Sequence, residues 1–151
     1  MKYVVDMHTH TVASGHAYNT INEMIQSAAN KGLELLGISE HGPAMPGSTN
    51  IFYFQNLNIL ERRKYGIEVR YGAELNNSSL NPNGFRINAY DNDLEILKYC
   101  MKYDVPVIMG SDAHREEDVG EFERAEKVLN KIGFPEDLII NSSLASLGII
   151  W

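Results

Sequence analysis

The protein has 151 residues, 44% of them hydrophobic, and a formal net charge of −7 at pH 7. This length predicts a single domain over residues 1–151, and the acidic balance excludes nonspecific nucleic-acid binding, which depends on clustered Lys and Arg. No apolar run reaches the roughly eighteen residues of a membrane span, and no signal-peptide pattern opens the chain. We therefore expect a cytoplasmic protein with no membrane or nucleic-acid partner.

Hydrophobic periodicity and turn residues predict strands and helices that alternate along the chain. Strands are expected at residues 3–7, 33–39, 67–75, 105–110 and 138–140. Helices are expected at about 20–32, 52–64, 92–103 and 118–132, with a closing helical turn at 144–147. Thr20 and Glu23 form a capping box for the first helix, Asn92 and Glu95 can cap the third, and residues 76–90 form the longest loop.

This alternation predicts an α/β fold with about five mainly parallel strands and flanking helices, since such units connect through right-handed crossovers. In these folds the loops after the carboxyl ends of the strands build the active site. Side chains that follow the strand ends are therefore the first candidates for a functional site.

All five histidines lie at or just after predicted strand ends. His8 and His10 are two residues apart on the first strand, so their side chains share one face, and Asp112 and His114 repeat this spacing. Each residue alone would fit a structural histidine or a surface charge, but the two pairs favour a metal site. The full set of candidate ligands is His8, His10, His16, His41, Glu74, Asp112 and His114. Seven N and O ligands suit two divalent ions that share a bridging carboxylate.

Several short motifs follow one another along most of the chain. They are Asp6-Met7-His8-Thr9-His10-Thr11, His16-Ala17-Tyr18, Glu40-His41-Gly42-Pro43, Tyr71-Gly72-Ala73-Glu74, Asn76-Asn77-Ser78-Ser79, Gly110-Ser111-Asp112-Ala113-His114 and Gly120-Glu121-Phe122. Together they resemble the motifs of the PHP superfamily (polymerase and histidinol phosphatase), in particular its stand-alone bacterial phosphatases.

This resemblance implies a distorted (βα)7 barrel that holds three divalent ions, usually zinc or manganese, and hydrolyses phosphoesters. One ion would be held by His8, His10, Glu74 and Asp112. A second would be held by His16, His41 and His114, and Glu74 would also bridge to a third ion. The N and O ligands admit Zn, Mn or Fe.

The chain departs from the family after Glu74. There the family carries about two further strand–helix units, on the order of 90 residues, with two histidine ligands of the third ion. We therefore expect two divalent ions, no third site, and a truncated version of the barrel. Open sheet edges would favour a homodimer, with exchange of segments around residues 75–90 as one route. The alternative is a chain internally abridged from a longer protein.

The predicted activity is hydrolysis of a small phosphorylated substrate by metal-activated water. Glu40, where the family generally has Asp, is a candidate acid for the leaving group. Arg115 is a candidate phosphate contact, although a solvated surface charge fits it equally well. The main alternative is a catalytically silent, metal-binding module with an assembly or regulatory role. A C–N hydrolase is disfavoured because no Lys lies at a strand end to bridge its metals.

Overall fold

The computed structural model of the protein describes residues 2–74 and 89–148, without the side chains of residues 89–93 and 146. Within these ranges the chain has a mixed α/β fold. The strands are β1 (Val5–Thr9), β2 (Leu35–His41), β3 (Arg63–Lys64) and β4 (Ile67–Glu74), and the α-helices are α1 (Ile21–Asn30), α2 (Ile51–Asn56), α3 (Ala89–Lys102) and α4 (Glu123–Ile132). In this part of the chain, no helix is both long and apolar enough to cross a membrane.

The strands form one open sheet in the order β1-β2-β4-β3. β1, β2 and β4 are parallel, whereas β3 pairs antiparallel with β4. The predicted α/β class is confirmed. The predicted mainly parallel arrangement is confirmed as well, although the described residues form four strands where about five were predicted.

The first crossover follows its sequence signals closely. Glu23 accepts the backbone N–H of Thr20 at 2.7 Å and Thr20 caps the Glu23 N–H, so the predicted capping box starts α1. The buried face of α1 packs on the sheet, and the shared core consists of Met24, Ile25, Ala28, Leu33, Leu36, Ile38, Ile67, Val69, Ala113 and Val119. This packing places the β1–β2 connection on one face of the sheet and leaves the strand ends open.

β1 contains an irregularity just before the first candidate ligands. The strand advances three residues, from Asp6 to Thr9, while β2 advances two. Gly37 makes room for this bulge, because a Cβ there would lie 2.6 Å from the Met7 carbonyl oxygen. Bulges bend a strand and redirect its side chains. β1 and β2 also end two residues later than predicted, so that His8 and His41 lie within the strands.

The predicted helix at 52–64 is wrong in its second half. α2 ends at Asn56, a 3₁₀ turn follows, and the chain then forms a hairpin between β3 and β4. Tyr65 and Gly66 have φ values of +51° and +84°. Two consecutive residues with positive φ form the type I′ turn that matches strand twist. Gly66 therefore turns a hairpin and does not end a helix.

The prediction of strands at 105–110 and 138–140 is also wrong, because neither segment forms a regular strand. A single parallel bridge joins Val107 to Ile139. The buried Asn141 amide replaces further backbone pairing: its Nδ2 donates to the carbonyls of Val5 and Met109, and its Oδ1 accepts the Met109 N–H, at 2.7 to 2.8 Å. One side chain thus joins two backbone segments where a strand ladder was expected.

Two helix starts differ from prediction. α3 begins at Ala89, so Asn92 lies inside the helix and does not cap it. α4 begins at Glu123, because Glu116–Asp118 forms a separate 3₁₀ turn and Gly120 has a φ of +74°. The closing turn is present as a 3₁₀ turn at Ala145–Leu147. Of the predicted loop at 76–90, residues 76–88 lie outside the described residues.

Candidate metal centre

The candidate ligands lie together at the carboxyl edge of the sheet. They come from the end of β1 (His8, His10), the loop after it (His16), the ends of β2 (His41) and β4 (Glu74), and residues 112–114 (Asp112, His114). A parallel bridge between Thr9 and Ala113 places residues 112–114 beside β1. Residues separated by more than one hundred positions are therefore brought into contact.

Four ligand atoms form the first group. His8 Nε2 and His10 Nε2 lie 3.1 Å apart, which confirms that the two side chains share a face. Glu74 Oε2 lies 3.4 Å from His8 Nε2 and 3.5 Å from His10 Nε2, and Asp112 Oδ1 lies 3.5 and 3.1 Å from the same atoms. Two ligands of one tetrahedral ion, each about 2.1 Å from it, lie about 3.4 Å apart. The spacing of this group fits a single divalent cation.

The second group contains His16, His41 and His114. His16 Nε2 lies 3.2 Å from His41 Nε2 and 3.0 Å from His114 Nε2. A different grouping of His10, His41 and His114 keeps its ligand atoms within 4.8 Å of one another. His41 and His114 could therefore provide ligands for a second cation together with either His16 or His10.

One buried atom supports the fit to cations directly. His41 Nδ1 has no hydrogen-bond partner, although Glu74 Oε2 is only 3.0 Å away. The distance would allow a hydrogen bond, but the geometry does not. Leaving a buried polar atom unpaired costs free energy, so such atoms call for a partner. A cation at Nδ1 would satisfy both atoms. Because a neutral imidazole has one lone pair, Nδ1 and the Nε2 that faces His16 are alternative ligand atoms of His41.

The buried histidines are held in the neutral form that binds metal. His10 is fully buried, and its pKa is lowered to about 3, first by burial and then by the like charges of His41, His114 and His8. Burial also lowers the pKa of His41, an effect that the Glu74 carboxylate opposes. Neutral imidazoles keep a free nitrogen lone pair at pH 7, and this lone pair is the metal ligand.

The cluster has a buried floor and an open side. The side chains of His10 and His41 are 0% and 9% exposed, whereas those of His8 and Asp112 are 37% and 66% exposed. Catalytic metal sites keep an open position for water or substrate, while structural sites are closed. The open side would leave room for water or a substrate beside a bound ion.

Two residues outside the predicted set hold the cluster in place. The buried Asp6 carboxylate accepts the backbone N–H groups of His8, Ser111 and Gly120 at 3.2, 3.1 and 2.8 Å. It thereby ties β1 to the segment that carries Asp112. The sequence signal for this role is the first residue of the Asp-x-His-x-His motif.

Gly110 is the second missed residue. A Cβ at this position would lie 2.4 Å from the Cβ of His8, so the absence of a side chain gives His8 its space. No local pattern indicates this role, because the two residues are about one hundred positions apart in the sequence.

Glu40 is placed differently from the predicted acid. It is fully buried, and its two oxygens accept hydrogen bonds from the Thr11 N–H and hydroxyl, the Ser14 hydroxyl and the Tyr53 hydroxyl. With both oxygens occupied, this placement argues against direct proton transfer to a leaving group. It favours a role in positioning other residues.

Arg115 forms a bidentate pair with Asp118 on the surface. Its Nε and Nη2 each donate to an Asp118 carboxylate oxygen at 2.9 Å. Since the Nε/Nη2 edge of the guanidinium group, which could bind a phosphate in bidentate fashion, is occupied by a carboxylate, the structure favours the solvated-charge interpretation.

Residues 6–147 match the family model of the PHP domain. The chain is also similar to proteins named probable phosphatases. It is 29% identical to one from Clostridium acetobutylicum, with 94% of this chain and 91% of the relative covered. It is 30% identical to one from Caldicellulosiruptor saccharolyticus (93% and 92% covered) and 27% identical to one from Acetivibrio thermocellus (95% and 93% covered).

These alignments run over 220 to 224 positions, which is more than the 151 residues of this chain. The relatives therefore carry residues that have no counterpart here, in agreement with the predicted internal deletion. The family model nevertheless spans almost the whole chain. The protein belongs to the PHP domain family.

Proposed function

We propose that the protein is a metal-dependent phosphoesterase that hydrolyses a small phosphorylated substrate, and that residues 1–151 form one shortened PHP domain. The observation that carries this proposal is the convergence of His8, His10, Glu74 and Asp112 at ligand spacing on the open edge of the sheet. The names of the relatives support the phosphatase assignment. We interpret the open sheet as a truncated form of the family's barrel.

The proposed site holds two divalent cations, with Zn, Mn or Fe as candidates. His8, His10, Glu74 and Asp112 would hold one cation, and His16, His41 and His114 the other. Glu74 Oε2 lies within 3.5 Å of nitrogens of His8, His10 and His41, which suits a carboxylate shared between the two groups. We propose no third site, because the chain lacks the two further histidines expected for it.

Bound divalent cations supply Lewis-acid chemistry, which activates water and neutralises charge on a phosphoryl group. The chain holds the neutral imidazoles of His10 and His41 rigidly in the buried floor of the site. Its exposed side, at Asp112 and His8, admits the substrate. Glu40 and Arg115 are left out of the catalytic set because Thr11, Ser14, Tyr53 and Asp118 occupy their polar groups.

The test combines metal analysis with turnover of p-nitrophenyl phosphate, with and without added manganese or zinc. We expect about two ions per chain and metal-dependent turnover. His8→Ala should lose bound metal and nearly all activity, because it removes a nitrogen from the first group. Gln26→Ala, on the exposed face of α1, is the control and should behave like the unmodified protein.

The outcomes distinguish the enzyme from the catalytically silent, metal-binding module. Bound metal without turnover would favour the silent module over the enzyme. A chain that binds no divalent metal would contradict both. Full metal content and activity in His8→Ala would contradict the ligand assignment.

We also propose that the protein forms a homodimer. β3 covers only the first part of the outer edge of β4, pairing with Ile67 and Glu68, and no other described strand pairs along that edge. α3 exposes Ile96 and Tyr99, and Tyr103 is exposed directly after the helix. Exposed strand edges and apolar side chains favour association with another chain. Residues 75–88 of the proposed exchanged segment lie outside the described residues.

A further inference from the structure

A buried hydrogen-bond network lies behind the candidate metal ligands. At its centre is Glu40, which accepts the Thr11 N–H at 3.1 Å, the Tyr53 hydroxyl at 3.2 Å, the Ser14 hydroxyl at 2.5 Å and the Thr11 hydroxyl. Glu40, Thr11 and Ser14 are each at most 1% exposed. A buried network of this kind is stabilising only when each donor faces an acceptor. This requirement allows the position of each hydrogen to be assigned.

Ser14 connects this network to the metal ligands. Its Oγ lies 2.5 Å from Glu40 Oε2, accepts the His41 backbone N–H at 3.1 Å, and lies 3.0 Å from His10 Nδ1. A hydroxyl has one hydrogen to donate and two lone pairs to accept with. The hydrogen is directed at the Glu40 carboxylate, which as an ion can only accept. Ser14 must then accept from His10, so His10 Nδ1 carries a hydrogen.

We propose that Glu40 acts through Ser14 to hold His10 in the Nδ1–H tautomer, which leaves the Nε2 lone pair free to face the metal site. Glu40 and Ser14 are positioning residues here, since His10 is the group that would contact the metal. The second nitrogen of a metal-bound histidine generally donates to such a partner, which fixes the tautomer and the ring orientation. The role in metal binding rests on the proposed function, whereas the tautomer does not.

The other donors around Glu40 support the carboxylate form. The Thr11 backbone N–H can only donate, and it shares Oε2 with Ser14. Burial, followed by the charge of Glu40, raises the pKa of Tyr53 above its ordinary value, so the Tyr53 hydroxyl keeps its hydrogen. Four donors thus converge on two oxygens, an arrangement that an ionised carboxylate satisfies.

The first test is the tautomer of His10 in the metal-free protein, measured by long-range ¹H–¹⁵N NMR correlation. We expect the Nδ1–H form in the unmodified chain. Glu40→Leu removes the acceptor of the Ser14 hydrogen, so Ser14 would donate to His10 Nδ1 and switch His10 to the Nε2–H form. Glu40→Gln is the control: its amide oxygen must face the Thr11 N–H, which can only donate, so Ser14 still donates to that oxygen and His10 keeps the Nδ1–H form. A purely structural role for Glu40 would not move this signal.

The second test is Zn²⁺ affinity by equilibrium dialysis. Glu40→Leu should weaken binding about 10- to 100-fold, the range seen when partners of metal-bound histidines are removed. Tyr53→Phe is the matched control: it removes one donor to Glu40, leaves Ser14 in place, and should leave Zn²⁺ affinity nearly unchanged.

An Nε2–H tautomer in the unmodified protein would overturn the inference, as would a Glu40→Leu variant with unchanged tautomer and Zn²⁺ affinity. If Glu40→Leu does not fold, the tautomer of the unmodified chain still decides. If the unmodified chain binds no Zn²⁺, the proposed function fails, while the tautomer of metal-free His10 tests this inference independently.

Discussion

At the scale of single residues, the candidate site depends on a position without a side chain as well as on its ligands. His8 can reach His10, Glu74 and Asp112 only because Gly110 has no side chain beside it. Metal sites lose affinity when a ligand is displaced, because the remaining ligands cannot follow it. Gly110 is therefore as important to the first group as a ligand is.

Gly110→Ala should lower Zn²⁺ affinity by about tenfold or more, since the new Cβ would lie 2.4 Å from the His8 Cβ and displace the imidazole. Equilibrium dialysis measures the change. Gly72→Ala on β4 is the control, because a Cβ there meets no atom within 4 Å. Equal Zn²⁺ affinity in the two variants would contradict this account of His8.

At the scale of secondary-structure elements, one side chain replaces a strand. The Asn141 side chain forms hydrogen bonds with the backbone of Val5 and Met109. The Asn141 backbone carbonyl accepts the Val4 N–H at 2.9 Å. These bonds connect β1 to the segment that leads into Asp112. Because an amide side chain carries the same donor and acceptor types as a peptide group, it can complete the pairing without a ladder.

Asn141→Ala should destabilise the fold by about 2 to 4 kcal/mol, because it leaves three buried backbone groups without partners. Urea denaturation followed by circular dichroism measures the free energy of unfolding. Asn130→Ala on the exposed side of α4 should change it by less than about 0.5 kcal/mol. A loss at Asn141 no larger than that at Asn130 would show that the network is not stabilising.

At the scale of the whole molecule, the proposed homodimer follows from what the chain lacks relative to its relatives. They carry residues without counterpart here, and the described sheet is open beyond the short β3. Light scattering at micromolar concentration should give twice the mass of the 17.0 kDa chain. Tyr99→Glu on the exposed face of α3 should shift the population toward monomer. A strictly monomeric unmodified protein would contradict the proposal.

The sequence predicted some features of the fold well and others poorly, for physical reasons. α1 was predictable because its capping box and apolar spacing are local signals. The hairpin at Tyr65 and Gly66 is not predictable in this way, because Tyr rarely adopts a positive φ and a lone glycine equally fits a helix end. The segment at 105–110 has the composition of a strand but obtains its partners from Asn141.

By itself, the sequence determined the candidate ligands and the family, because both depend on residue types at short, regular spacing. Side chains alternate with a period of two along a strand, so His8 and His10 had to share a face wherever the strand lay. Only the tertiary structure shows which groups Glu40 and Arg115 bond to and which side chain Gly110 lies against. Their hydrogen bonds and contacts are made with particular neighbours, often distant in sequence, and such contacts exist only once the chain has folded.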